Sequence, residues 1–288
     1  MLKRLVLLLG VLLTGIVSFC CQSASVWQIS KDGQSIYIGG TLHILSPADF
    51  PLPEAYATAY NNADKLVFET DIGGLNTAQF QRDMMQRLTY QNGTRLKDTL
   101  SESTYRLLSA HLAQRNLDIA EMAHYTPALM SITLSVTELR QMGFTSQGVD
   151  EFYYFRAMMD RKQIDWFESP QQQLEFIAEL GGQDEDQMIR YALEDVKQLP
   201  DTITELKTLW RSGDMQQLYR NQASQFRDNF PAIYQSLLID RNQRWLPMIE
   251  AMMTDDTTEF VLVGTMHLSG ADSVLDLLQN KGYQVLQL

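Results

Sequence analysis

Apolar and polar positions predict short strands near the beginning of the chain. Val26 to Ser30 and Ser35 to Gly40 are apolar-rich runs separated by Lys31-Asp32-Gly33-Gln34, and an Asp-Gly between two such runs predicts a β-hairpin. The pattern then predicts a helix from Glu54 to Asn62 and a strand from Lys65 to Thr70. This part of the chain therefore combines a hairpin with a helix and a further strand.

The C-terminal part repeats the alternation of strand, helix and strand. A buried type of strand is predicted from Glu259 to Val263, a helix from Ala271 to Asn280, and a final strand from Gln284 to Leu288. We therefore expect both ends of the chain to contribute strands to one sheet.

The long interval between about residues 76 and 250 is otherwise helical in pattern. One strand interrupts it at Gln163 to Phe167, directly after a helix predicted from Asp150 to Asp160. Apolar stripes such as Leu108 and Leu112 predict ordinary helical core. We expect an α/β fold with a central β-sheet, two strand–Gly-Thr-apolar-His–helix–strand units and one large helical insertion.

Four side chains that can bind a metal or transfer a proton lie at or just after the ends of predicted strands. Gly40-Thr41-Leu42-His43 and Gly264-Thr265-Met266-His267 are two copies of one motif, and they use two of the four histidines in the chain. Two other strands close on a glutamate, at Phe68-Glu69 and Phe167-Glu168. If these strands are parallel neighbours, their carboxyl ends bring the two histidines and two glutamates to one edge of the sheet, where ligands bind.

Two imidazoles with one or two carboxylates suit a divalent metal that keeps open coordination positions, such as Zn²⁺, Mn²⁺ or Co²⁺. Such a metal acidifies a bound water, and a nearby carboxylate takes its proton. The alternative is that His43 and His267 each cap a helix or bond a carbonyl. For Glu168 the alternative to a part in activity is hydrogen bonding to the start of the helix after Pro170.

Asp150 and Arg241 each have two possible interpretations. Asp150, in Gly148-Val149-Asp150, either caps the following helix or belongs to the site. Arg241, which precedes Asn242 on a predicted helix, is either a surface charge or binds a carboxylate of the site or of a substrate. His111 and His124 have no partner at motif spacing and are interpreted as ordinary histidines.

Composition places the chain among ordinary globular proteins. It has 288 residues, of which 45% are hydrophobic and 20% charged, and its net charge is −12. Such a surface repels polyphosphate, so neither nucleic acid nor an anionic lipid headgroup is an expected partner.

The N-terminus resembles an export signal. Lys3 and Arg4 precede an uncharged apolar run from Leu5 to Phe19, which fits a secretory signal and is short for a bilayer-spanning helix. We expect residues 1–25 to be a cleaved signal peptide and 26–288 to form a single periplasmic or secreted domain without stable membrane insertion. An uncleaved anchor is the alternative. An acylated cysteine is disfavoured, because no small residue precedes Cys20 or Cys21.

Together, the two Gly-Thr-apolar-His motifs, Phe68-Glu69, Gly148-Val149-Asp150, Phe167-Glu168 and Arg241-Asn242 resemble the TraB/GumN family, which is related to the Tiki proteases. The resemblance covers essentially all of the chain after the signal. It implies a fold shared with erythromycin-esterase-like and ChaN-like proteins. It also implies that His43, His267 and Glu69 are metal or catalytic residues, with Glu168 as the second glutamate.

The expected function is an exported metal-dependent hydrolase that uses a metal-activated water. The resemblance implies a peptidase that depends on Mn²⁺ or Co²⁺, and Glu69, Glu168 and Arg241 are the expected catalytic residues. The expected partner is a peptide or a small-molecule substrate. The alternatives are a non-catalytic binding protein for a peptide or a haem-like ligand, and an accessory factor in envelope or polysaccharide assembly.

Overall fold

A central sheet organises the part of the chain that the computed structural model describes, residues 23–145, 147–179 and 184–288. Its six strands are β1 (Val26–Lys31), β2 (Gln34–Thr41), β3 (Lys65–Thr70), β4 (Gln163–Glu168), β5 (Glu259–Gly264) and β6 (Gln284–Gln287). Their order across the sheet is β4-β3-β5-β2-β1-β6. The first four strands in this order are mutually parallel, whereas β1 runs antiparallel to both β2 and β6. The predicted α/β class is confirmed, with a mixed sheet.

Helices fill most of the remaining described chain. The α-helices are α1 (Glu54–Asn62), α2 (Ile72–Leu75), α3 (Ala78–Arg87), α4 (Leu96–Thr99), α5 (Glu102–Ala113), α6 (Pro127–Gln141), α7 (Val149–Asp160), α8 (Pro170–Glu179), α9 (Glu185–Ser212), α10 (Met215–Leu218), α11 (Ser224–Asn229), α12 (Pro231–Tyr234), α13 (Asp240–Met252) and α14 (Val274–Asn280). Short 3₁₀ turns lie at Pro47–Asp49, Ile119–Met122 and Thr265–Leu268, and π-helical turns at Tyr219–Ala223 and Gln235–Ile239.

Local sequence accounts for several boundaries. The predicted hairpin forms with Asp32 and Gly33 as its two-residue turn, and both have positive φ, at 52° and 89°. This is the backbone that a type I′ turn requires, and Asp-Gly tolerates it. The α14 helix begins at Val274, three residues later than predicted, because Ser273 caps it by accepting a hydrogen bond from the N–H of Asp276 at 3.1 Å.

Both faces of the sheet are covered. On one face, Tyr56 of α1 and Tyr153 of α7 pack on the side chains of Phe68 and Phe260. On the other face, Trp245 of α13 packs in a second cluster with side chains of β1, β2, β5 and α14. Burial on both faces explains why the central strand β5 is apolar and almost wholly buried from Phe260 onward, with no polar alternation.

The helical insertion has a core of its own. Leu108 and Leu112 of α5 are fully buried against α6 and α9, and Ile189 of α9 joins them, so the predicted apolar stripes are confirmed as core. His111 also lies here, with its Nε2 3.1 Å from Glu138 Oε1.

The two residues that precede the predicted domain start contact the core. Ala24 and Ser25 are completely buried. The N–H of Ala24 donates to Leu288 O at 2.9 Å, and the Ser25 hydroxyl donates to Trp210 O at 2.5 Å. A domain that starts at residue 26 would therefore lack two residues that the core contacts.

The predicted signal peptide and both cysteines fall on residues 1–22, outside the described residues. Among the helices that the structure does describe, none combines the length and apolar character needed to cross a bilayer.

If the chain is exported with signal cleavage, its mature N-terminus should lie at or before Ala24. A chain that starts at Val26 loses the hydrogen bonds of Ala24 and Ser25, each of which contributes about 1 kcal/mol. Mass spectrometry of the exported protein identifies the terminus. Purified chains 23–288 and 26–288 provide the comparison, and equal melting temperatures would show that these two residues do not matter to the fold.

Candidate functional site

The strand order brings the predicted site residues to one edge of the sheet. Since β4, β3, β5 and β2 are parallel neighbours, their carboxyl ends lie side by side. Glu69 and Glu168 lie at two of these ends, and His43 and His267 follow the other two. Asp150 from α7 and Arg241 from α13 contact them.

The two Gly-Thr-apolar-His motifs are not equivalent in space. Thr41 pairs with Gly264 across the β2–β5 ladder, so the motifs are offset by one residue. His43 lies in a bend and its side chain is 63% exposed, whereas His267 lies in a 3₁₀ turn and is 4% exposed. The repeat in sequence therefore places two imidazoles in opposite environments.

His43 is held by Asp150. The Nδ1 atom of His43 lies 2.7 Å from Asp150 Oδ2, which leaves Nε2 free to bind another group. Gly148 permits this approach, because a Cβ there would lie 2.3 Å from Leu42 O. The N-cap of α7 is Gly148, and no side chain caps the helix. The interpretation of Asp150 as a helix cap is therefore wrong.

This pair changes the charge of the exposed imidazole. The Asp150 carboxylate raises the pKa of His43 to about 9. In the absence of a competing cation, His43 is therefore an imidazolium at neutral pH, and its charge balances that of Asp150.

Arg241 lies at the centre of the cluster and is buried. Its Nη2 donates to Glu69 Oε2 at 2.6 Å and to Glu168 Oε2 at 2.8 Å, and its Nε donates to Glu168 Oε1 at 2.9 Å. Its Nη1 donates to Leu237 O at 3.2 Å, within the π-helical turn that precedes α13. Of the two interpretations of Arg241, the structure supports the carboxylate-binding one and excludes the surface charge.

Glu168 is surrounded by donors. Besides Arg241, Trp245 Nε1 donates to it at 3.0 Å and Gln173 Nε2 at 2.6 Å. The start of α8 is capped instead by Ser169, whose hydroxyl accepts from the N–H of Gln172 at 3.2 Å. Capping by Glu168 is therefore wrong, and its contacts favour a part in positioning Arg241. A direct part in catalysis stays a prediction.

His267 is oriented by Asn242. The side-chain amide of Asn242 donates to Asp272 O at 2.8 Å, which directs its Oδ1 to His267 Nδ1 at 2.6 Å. His267 Nδ1 therefore carries the hydrogen, and Nε2 accepts from Arg241 Nη1 at 3.1 Å. Burial lowers the pKa of His267 to about 3, so this imidazole is neutral.

Glu69 connects the two histidines. Burial favours its protonated form, but the two motif imidazoles, Arg241 and the N–H of Gly264 outweigh burial and lower its pKa to about 2. Its Oε1 lies 3.8 Å from His267 Nε2. Glu69 is therefore a carboxylate that faces both imidazoles.

Gly264 leaves a small cradle between these groups. A Cβ at this position would lie 3.0 Å from Glu69 Oε1, 3.7 Å from His43 Nε2 and 3.7 Å from His267 Cδ2. Any side chain on residue 264 would fill this space. The role of Asn242 in orienting His267 was not predicted, although Asn242 directly follows Arg241 in the sequence.

We expect His43 to titrate near pH 9 in metal-free protein and Asp150→Asn to bring its pKa back toward the ordinary value of about 6.5. Because the folded-state pKa is raised, the pair stabilises the fold fully below about pH 6.5, and this contribution is lost as the pH rises through about 9. NMR of the imidazole protons measures both values. An Asp150→Asn variant with an unchanged His43 pKa would contradict the pairing.

Glu168→Gln should destabilise the protein strongly, since it leaves the buried Arg241 with one carboxylate partner fewer. The expected cost is about 3 kcal/mol in the free energy of unfolding. Glu175→Gln is the matched control, because Glu175 pairs with Arg87 at 2.8 Å on the surface, where such a pair contributes less than about 1 kcal/mol. Denaturant titrations compare the two, and equal losses would count against the positioning role.

Comparison with known families supports the assignment suggested by these motifs. The sequence model of the TraB/PrgY/gumN family matches residues 25–287. Neither a curated protein nor a solved structure gives a significant match. The kinship with Tiki proteases and ChaN-like proteins therefore stays a prediction, whereas the family itself is confirmed. The chain belongs to the TraB/PrgY/gumN family.

Proposed function

We propose that this chain is an exported metal-dependent hydrolase that cleaves peptides with a metal-activated water. One observation carries the proposal: in both motif histidines an oxygen atom binds Nδ1. This arrangement leaves each Nε2 as the coordinating atom, and it is typical of histidines that bind metals. Glu69 Oε1 lies between them, beside Gly264.

The donor set fits a divalent cation in chemistry and in charge. His43, His267 and Glu69 would hold the ion, and Asp150 and Asn242 would orient the imidazoles. The cluster contains three carboxylates, of Glu69, Glu168 and Asp150, and one guanidinium, so it carries a formal excess of two negative charges before the histidines are counted. A divalent cation balances this excess.

One contact competes with this arrangement. Arg241 Nη1 donates to the lone pair of His267 Nε2, and within the described residues no three His, Cys, Asp or Glu side chains are grouped closely enough to hold a metal as they stand. Binding through His267 therefore requires Arg241 to give up this hydrogen bond and keep its bonds to Glu69 and Glu168.

The pKa values of Glu69 and His43 favour metal-assisted hydrolysis over direct acid–base catalysis by these two side chains. With a pKa of about 2, Glu69 is too weak a base to take a proton from free water at neutral pH. His43, with a pKa of about 9, is already protonated. A bound cation supplies what these side chains lack, because it makes water acidic enough to ionise near neutral pH. The exposed side of His43 gives a substrate access to the cradle.

Binding without turnover is the second candidate. The observation that favours it is the same Arg241 network, which satisfies Glu69, Glu168 and His267 without any cation. The proposal also includes export to the periplasm or medium and a peptide or small-molecule substrate. It includes no nucleic-acid partner, because a net charge of −12 repels polyphosphate.

Metal content of the wild type, His43→Ala, His267→Ala and the double variant tests the proposal. If His43 and His267 bind one ion, His43→Ala alone should remove most of the metal, and adding His267→Ala should change little more. Mass spectrometry of bound Mn²⁺, Co²⁺ and Zn²⁺ measures stoichiometry, and cleavage of a peptide mixture measures turnover. His111→Ala is the control, since His111 lies in the helical insertion and should not affect either quantity.

The pH dependence sharpens the same experiment. Because the metal must displace the proton on His43, the affinity for metal should fall as the pH drops below about 9. This pH is higher than the one at which an ordinary histidine takes up a proton. Unchanged metal content in both single variants, with additive losses in melting temperature, would refute the metal site. Bound metal without cleavage of any peptide would favour the binding protein.

A further inference from the structure

Three buried polar atoms near the carboxyl edge of the sheet lack a hydrogen-bond partner. They are Thr41 Oγ1, Thr70 Oγ1 and Asp150 Oδ1, half of the six such atoms among the described residues. Thr41 is 2% exposed and Thr70 is 7% exposed. Leaving such a group unsatisfied is unfavourable, so a fold without another use for these hydroxyls would favour valine.

The two threonines lie on one row of the sheet with Gly264 between them. Thr41 of β2 pairs directly with Gly264 of β5. On the other side, Phe68 of β3 pairs with Leu262, so the register places Thr70 level with Gly264. Neighbouring strands are about 4.8 Å apart, and the middle position of this row has no side chain. The two hydroxyl-bearing side chains therefore flank a position without a side chain.

The row faces the same side of the sheet as Asp150. Side chains two or four positions apart on a strand share a face. Tyr37 and Phe68 pack in the cluster that includes α7, so Thr41 and Thr70 face α7 as well. Asp150 lies in the first turn of α7. Its unpartnered Oδ1 therefore belongs to the same side as the two hydroxyls.

The second motif provides an internal comparison. Thr265 holds the same motif position as Thr41, and its hydroxyl donates to Thr41 O at 2.8 Å. The fold therefore uses the hydroxyl of Thr265, whereas that of Thr41 makes no hydrogen bond with protein. A role in packing explains one threonine and leaves the other unexplained.

We propose that Thr41 and Thr70 are positioning residues that bind water beneath Gly264, and that this subsite delivers the attacking water to the cradle. The inference rests on the proposed hydrolase. In the reaction, the water oxygen bonds to the carbonyl carbon of a peptide bond, and the carbon–nitrogen bond breaks with its electron pair on nitrogen. One water proton passes to that nitrogen, and the other remains with the carboxyl product. Substrate approaches from the exposed side of His43, opposite the water.

A crystal structure of the full exported chain, at a resolution that shows ordered water, provides the first test. Water should lie within hydrogen-bonding distance of both hydroxyls in the wild type, and Thr41→Val should lack the water at residue 41. Absence of water from both hydroxyls in the wild type would overturn the proposal, whatever the activity of the protein.

Kinetics on a peptide mixture provide the second test. Thr41→Val and Thr70→Val should each lower kcat about tenfold, the effect of one lost hydrogen bond to the reacting group, with KM nearly unchanged. Thr41→Ser should retain most of kcat, because it keeps the hydroxyl. Ser131→Ala is the matched control: its hydroxyl is also buried and unpartnered among the described residues, but it lies in α6, so kcat should not change.

The outcomes separate this inference from the proposed function. Wild-type kcat in both valine variants would overturn the positioning role, as would equal losses in Thr41→Ser and Thr41→Val. If the metal-loaded wild type cleaves no peptide, the proposed hydrolase fails. The subsite is then judged by the crystal structure alone, where bound water supports it and absence of water overturns it.

Discussion

The site depends on one buried guanidinium. Arg241 donates to Glu69, Glu168 and His267 together, and so connects α13 to the ends of three strands. The desolvation cost of burying such an ion pair nearly cancels the attraction between its charges. Apolar side chains of similar volume often stabilise a fold equally. Its value therefore lies in placement. With Arg241 fixed by several acceptors, the two carboxylates can rotate little.

Burial and Asp150 explain why two similar motifs give histidines of opposite character. His267 is buried, with Arg241 beside it, and stays neutral, whereas His43 is exposed beside Asp150 and takes up a proton. The cluster thus has a neutral, buried half and a charged, accessible half. The accessible half is the part of the cluster that a substrate can reach.

The sequence predicted local features better than contacts between distant residues. The turn at Asp32-Gly33 and the helix from Glu54 to Asn62 follow from patterns within a few residues, and the structure has both. The convergence of the four site residues was predicted on one condition, that their strands are parallel neighbours. The pairing of His43 with Asp150 joins residues 107 positions apart, and no local pattern specifies it. The contact of Ser25 with Trp210 likewise joins residues 185 positions apart, and no local pattern specifies it.

At the carboxyl edge of the sheet, several residues are not the ones that packing and hydrogen bonding alone would favour. The fold satisfies the hydroxyl of Thr265 but leaves those of Thr41 and Thr70 without a protein partner, and it keeps residue 264 free of a side chain where Glu69 and His43 approach. At positions 41 and 70 this arrangement forgoes stability that valine could supply. Natural sequences tolerate such departures mainly where function requires them. The unpartnered hydroxyls lie on one row of the sheet, level with Gly264 and next to the strand ends that carry Glu69 and Glu168. The proposed water subsite accounts for this coincidence, because packing alone would favour an apolar row like the rest of β5.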